Sequence, residues 1–135
     1  MSKALDTLAR LRKLETEQAK RDLAAAIAAE TAASRALMQA QAVVAREARV
    51  VNAALPGAFA AWLPAASATI ARCKAAETQA ATAREDARAA LAGHRSALQA
   101  TQTLREARDA QEKLQAERWA TRGLDDLGSR KDILF

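Results

Sequence analysis

The 135-residue chain has no tyrosine, two phenylalanines, two tryptophans, four glycines, two prolines and a single cysteine. Each shortage narrows the fold. Sheets favour β-branched and aromatic residues, and four valines with three isoleucines are too few to build one. Chain reversals draw on glycine and proline, so six such residues allow few turns. The lone cysteine, Cys73, cannot make an internal disulfide, which fits a reducing compartment. An uninterrupted apolar run is missing as well. The longest uncharged stretch, Val50 to Ala71, contains Asn52, Pro56, Gly57, Pro64, Ser67 and Thr69, whereas a transmembrane helix asks for about 20 predominantly apolar residues. The opening, Met1-Ser2-Lys3-Ala4-Leu5-Asp6, reaches an acid too early for a signal peptide's apolar region. A cytoplasmic protein without direct membrane insertion is the expectation.

Alanine fills the space these residues leave. It occupies 39 positions, against 15 leucines. Alanine favours helix because it loses no side-chain entropy there, yet it buries little area. A compact globule needs bulky residues from many directions; a thin seam between two helices does not. Enrichment in Ala, Glu, Lys, Leu and Arg points the same way, to long helix or coiled coil. The net charge of +5 comes from interspersed signs: residues 1–22 carry six bases and four acids, and residues 105–135 seven of each. No basic block tracks a phosphate backbone, and no aromatics interleave with bases to stack on nucleotides, which argues against nucleic acid.

The strongest punctuation is Leu55-Pro56-Gly57-Ala58-Phe59-Ala60-Ala61-Trp62-Leu63-Pro64. Proline inside a helix removes a hydrogen bond and clashes with the preceding turn, but in the first turn its missing N–H costs nothing. The chain therefore reads as all-α, a single antiparallel coiled-coil hairpin over residues 1–122. Helix one spans about 2–54 from a Ser2 cap, a loop about 55–63, and helix two about 64–121. Gly123 is the natural stop, and residues 123–135 form a short tail. Helices of about 50 to 57 residues extend roughly 75–85 Å. Leu5, Leu8, Leu11 and Leu14 begin the apolar side of helix one. Leu23, Ile27, Leu37, Val44, Val51 and Leu55 continue it, interrupted by Glu30, Ser34 and Gln41. Helix two offers Ile70, Cys73, Ala80, Ala87, Leu91 and Leu98; a shift then brings Leu104, Ala107, Gln111 and Leu114 onto the seam, with Trp119 near its end. Gly93 lies inside this run and suggests a bend.

Little here suits catalysis, which needs a base or nucleophile held in a pocket. His94 is the only histidine, and its neighbours Gly93 and Arg95 suggest a solvated or seam-edge position. Cys73 falls on the apolar stripe as a small hydrophobe. No Cys/His pair stands at metal-ligand spacing, and both phosphate-cradling glycine motifs are missing. No enzyme, cofactor or metal is expected.

Two features bear on partners. Phe59, Trp62 and Leu63 cluster without charge at the expected loop, either as an apolar plug closing the hairpin or as a docking knob. At the opposite end an antiparallel pairing brings residues 1–22 to residues 105–135, which together hold 24 of the 37 charged residues. Such density is either plain solvated surface or a face complementary to a partner.

The stretch Ala4-Leu5-Asp6-Thr7-Leu8-Ala9-Arg10-Leu11-Arg12-Lys13-Leu14-Glu15, the closing Lys113-Leu114-Gln115-Ala116-Glu117-Arg118 and the segment Leu124-Asp125-Asp126-Leu127 resemble the FliJ family of flagellar type III export proteins and, more distantly, its injectisome counterparts. Length, basic charge and helix-loop-helix order match over nearly the whole chain. The resemblance implies a non-enzymatic stalk, similar to the central shaft of rotary ATPases, whose paired helix ends enter a hexameric export ATPase ring. Parts nearer the loop would engage the membrane export gate and export chaperones, holding the protein at the inner face of the membrane through the export apparatus. On this reading the ring-facing end comprises Leu8, Leu11, Arg12 and Leu14 with Leu114, Arg118 and Trp119, while Phe59, Trp62 and Leu63 are docking candidates at the loop on the strength of their uncharged cluster alone. The alternative is a structural or scaffolding coiled coil, dimeric where it hides a weak seam.

Overall fold

The computed structural model describes residues 3–51 and 56–134, with side-chain surroundings for 3–50 and 57–129. Among the described residues all are helical, in two elements: α1 (Lys3–Val51) and α2 (Pro56–Leu134). The expected Ser2 cap lies outside the described residues. Two compact units divide the chain: residues 17–93, and residues 1–16 with 94–135.

The expected loop over residues 55–63 is instead helix from Pro56 onward, so Phe59, Trp62 and Leu63 stand on the first turns of α2. Pro56 supplies a helix start because its absent N–H would have had no partner there. Pro64 then sits inside the helix, where it denies the Ala60 carbonyl its bond. Both residues are exposed, so water can reach that carbonyl. Nor does Gly123 end the helix: α2 continues to Leu134. No described glycine has a positive φ, so Gly93 and Gly123 adopt ordinary helical geometry.

In the unit of residues 17–93 the two helices are antiparallel. Arg84 of α2 meets Glu30 of α1, with Nε 3.0 Å from the carboxylate oxygen, although the approach is not aligned as a hydrogen bond. Val44 and Trp62 line one shallow groove further along. The half-buried and buried positions of α1 include Ala19, Leu23, Ala26, Glu30, Ala33, Leu37, Ala40 and Val44, and those of α2 include Ala66, Ile70, Cys73, Glu77, Ala80, Arg84, Ala87 and Leu91. Steps of alternating three and four residues are the signature of a supercoiled seam. The α2 stripe is the one the sequence indicated. On α1 the companion row differs: Ile27 is 48% exposed and Gln41 is exposed, while Ala26, Ala33 and Ala40 turn inward. Both rows stand at heptad spacing from Leu23, Glu30, Leu37 and Val44. The all-alanine row faces the partner because three small residues let the backbones approach uniformly; of the other row Ile27 and Gln41 turn outward and only the small Ser34 stays half-buried.

In the other unit Asp6 pairs with Arg105 (2.7 Å), and the Thr16 hydroxyl reaches toward the His94 carbonyl at 3.4 Å while donating to the Arg12 carbonyl at 2.8 Å. These contacts again fix an antiparallel arrangement. Its seam is Leu5, Ala9, Arg12 and Thr16 against His94, Leu98 and Thr101. Across the described residues the buried set is small: Ala9, Ala19 and Leu91, with Thr16 and Thr101. Thr101 satisfies its hydroxyl on the Ala97 carbonyl at 2.9 Å, the back-bond by which a helical threonine avoids an orphaned donor.

Candidate interaction surface

With the seam in place, the residues left facing outward define what the chain offers to others. Leu5, Leu8, Leu11 and Leu14 do not form one stripe. A step of three residues turns a helix by about 300°, so each leucine slips back about 60°, and Leu14 points away from the face that holds Leu5. Accordingly Leu5 and Leu8 are half-buried, whereas Leu11 is 50% and Leu14 67% exposed. Arg12 takes a seam position instead. Its guanidinium donates to Glu15 at 3.2 Å, and the same carboxylate lies 3.5 Å from the His94 ring. His94 is thus a seam-edge residue tied to α1.

The second half of the expected surface lies elsewhere. The contacts Asp6–Arg105 and Thr16–His94 set residues 7–15 of α1 against residues 95–104 of α2. Leu114, Arg118 and Trp119 come after that stretch, and Trp119 is 14 residues past Arg105, about 21 Å further along the helix axis. Among the described residues of this unit, 3–16 and 106–129 therefore do not meet as two matched ends, and Leu8–Leu14 are not brought together with Leu114–Trp119. The reason is the length of α2: 79 residues against 49 in α1, because it starts earlier and stops later than its glycine and prolines suggested. The shift that would carry Leu104, Ala107, Gln111 and Leu114 onto the seam does not occur.

From Gln102 to Ser129 every residue of α2 is exposed. Leu104, Leu114, Trp119, Leu124 and Leu127 are each between 47% and 71% exposed. Signs of charge alternate closely around them, and Arg122 stacks over the Trp119 ring at 5.9 Å. A helix without an apolar face turned to a partner gains little from tertiary packing, its usual source of stability; the five large apolar residues are spread around the circumference of this stretch rather than gathered on one face.

At the start of α2, Phe59 and Trp62 lie with ring centroids 5.8 Å apart at 45°, a tilted aromatic pair. Phe59, Trp62 and Leu63 are all half-buried. Trp62 also walls the shallow groove of about 270 Å³ shared with Val43, Val44 and Ala66. This arrangement combines the two readings of the cluster: the rings pack on their own hairpin and keep an open apolar side.

Among the described residues no cluster of three or more His, Cys, Asp or Glu could hold a metal, and no helix is long and apolar enough to cross a membrane. Cys73 is half-buried on the seam. No family model matches the chain, and neither a curated protein nor a solved structure matches it significantly.

Proposed function

We propose that the chain is a non-enzymatic component of a type III protein export apparatus, a stalk that couples a hexameric export ATPase to the membrane export gate. The resemblance of the Ala4–Glu15, Lys113–Arg118 and Leu124–Leu127 segments to the FliJ family supplies the class. One observation favours it most: α2 carries an exposed stretch, residues 102–129, with large apolar side chains set among both signs of charge. Such a stretch suits the inside of a ring, where apolar contacts must form and break and unlike charges offer shallow alternatives. In this reading the ring contact belongs to Leu114, Arg118 and Trp119, and Leu8, Leu11, Arg12 and Leu14 of α1 supply a second, separate contact. Export chaperones and the gate engage other parts of the hairpin, and the protein resides in the cytoplasm at the inner face of the membrane.

The test is co-purification with the export ATPase followed by a turnover assay. About one chain per ring with raised turnover supports the stalk. Reversing charge at the exposed Arg118 should lower stimulation with helicity intact, and unchanged stimulation removes that residue from the contact. The second reading, a scaffolding coiled coil that dimerises, is favoured by the meagre buried set of Ala9, Ala19 and Leu91. It requires a melting temperature that rises with protein concentration.

A further inference from the structure

Two prolines stand near the start of α2, at its first residue, Pro56, and one position past its first eight residues, at Pro64. Proline suits the first helical position, where its missing N–H has no partner to lose, and it biases the residue before it toward extended backbone. Each proline therefore meets the requirements of a helix start. The structure uses Pro56; a start at Pro64 would leave Leu63 outside the helix, free to be extended. Backbone bonding does little to favour the longer form. Its added bonds run from the amides of residues 60–63 to carbonyls four residues back, and the Ala60 carbonyl then goes without a helical partner because Pro64 has no N–H. Gly57 is the poorest helix former after proline, and a Cβ there meets nothing within 4 Å, so no close approach calls for it.

Side chains favour the longer form instead. Phe59 and Trp62, three residues apart, are made neighbours by the helix itself, and their rings lie 5.8 Å apart. Trp62 walls the groove that it shares with Val43 and Val44 of α1, and Phe59, Trp62 and Leu63 are all half-buried. We infer that α2 has two alternative starts and that residues 56–63 act as a lid. In the form seen the lid is helical, with Trp62 set against α1; in the other it is unwound as far as Pro64. Unwinding withdraws Trp62 from the groove and bares Val44 and Val43, the latter already 38% exposed. The lid thus sets how much apolar surface this end of the unit of residues 17–93 presents. The inference is independent of the export reading.

The experiment is amide hydrogen exchange on the full chain, read residue by residue by NMR and corrected for intrinsic rates. It reports local opening directly. The amides of residues 60–63 are expected to open together, at one common rate, with a step to slower exchange beyond Pro64. Pro64→Ala should slow those four amides about a hundred-fold. Gly57→Ala, which keeps both prolines and so holds if the first variant alters the fold, should slow them about five-fold. Phe59→Ala removes the ring that Trp62 packs on and should speed them. Rates that grade smoothly from residue 60 into residues 69–75 are plain fraying of a helix end and overturn the inference. Protection of residues 60–63 equal to that of residues 69–75, or rates unchanged by both Pro64→Ala and Gly57→Ala, overturns it too.

Discussion

Replacing Leu91 by alanine isolates what the seam contributes. Leu91 is 5% exposed and is the largest of the buried apolar residues, the others being Ala9 and Ala19. Removing a buried leucine side chain costs about 2–5 kcal/mol, the spread reflecting how far the site collapses. A two-helix seam can close from both sides, and alanine is the slightly better helix former, so the low end, about 2 kcal/mol, is expected. For a chain of this length about 4 °C of melting temperature accompanies each kcal/mol, giving a fall of about 8 °C. Leu114→Ala removes the same atoms from a site 47% exposed, and such surface changes stay within about 0.5 kcal/mol. Thermal unfolding followed by circular dichroism measures both. Equal shifts for the two variants would refute the burial assignment, and with it the register of the seam.

Other substitutions test the backbone and the polar seam in the same assay. Gly93→Ala should raise stability by about 1 kcal/mol, because a Cβ there meets nothing within 4 Å; a loss would mean that the helix bends at this residue. Pro64→Ala should also stabilise, by up to about 3 kcal/mol, since it restores the bond to the Ala60 carbonyl and removes no buried contact from an exposed position. A fall in melting temperature would indicate that the proline terminates one helix and starts another. Replacing Glu30 and Arg84 together by leucine should be neutral or stabilising by about 1 kcal/mol, as an apolar pair avoids the desolvation of a half-buried ion pair. A clear destabilisation would show that the pair sets the register.

The hairpin was legible in the sequence because its causes are compositional. Alanine content, the lack of sheet-forming residues and the proline cluster leave few alternatives to two long helices. The α2 stripe from Ile70 to Leu98 was legible too, since its heptad spacing is unbroken. Three features were not. The row Ala26-Ala33-Ala40 was hidden because hydrophobicity points to Ile27, whereas close approach of backbones selects the smallest side chain. The leucines at spacing three in Leu5–Leu14 gave the impression of a stripe, although that spacing rotates steadily around the helix. The length of α2 was misjudged because Gly123 and Pro64 are weighted as breakers, when each can be absorbed on an exposed helix. That last difference displaced Leu114, Arg118 and Trp119 from the end of α1.

The central claim is that the exposed stretch of α2 acts on a partner. The most direct measurement is the turnover of the proposed partner, a hexameric export ATPase, with the full chain and with a variant carrying Leu114→Ala, Trp119→Ala and Leu124→Ala. These three side chains are between 47% and 71% exposed, so the variant's helicity and melting temperature should match the parent's. Stimulation by the parent and its loss in the variant is the predicted result. Equal stimulation by both, or none by either, would contradict the account.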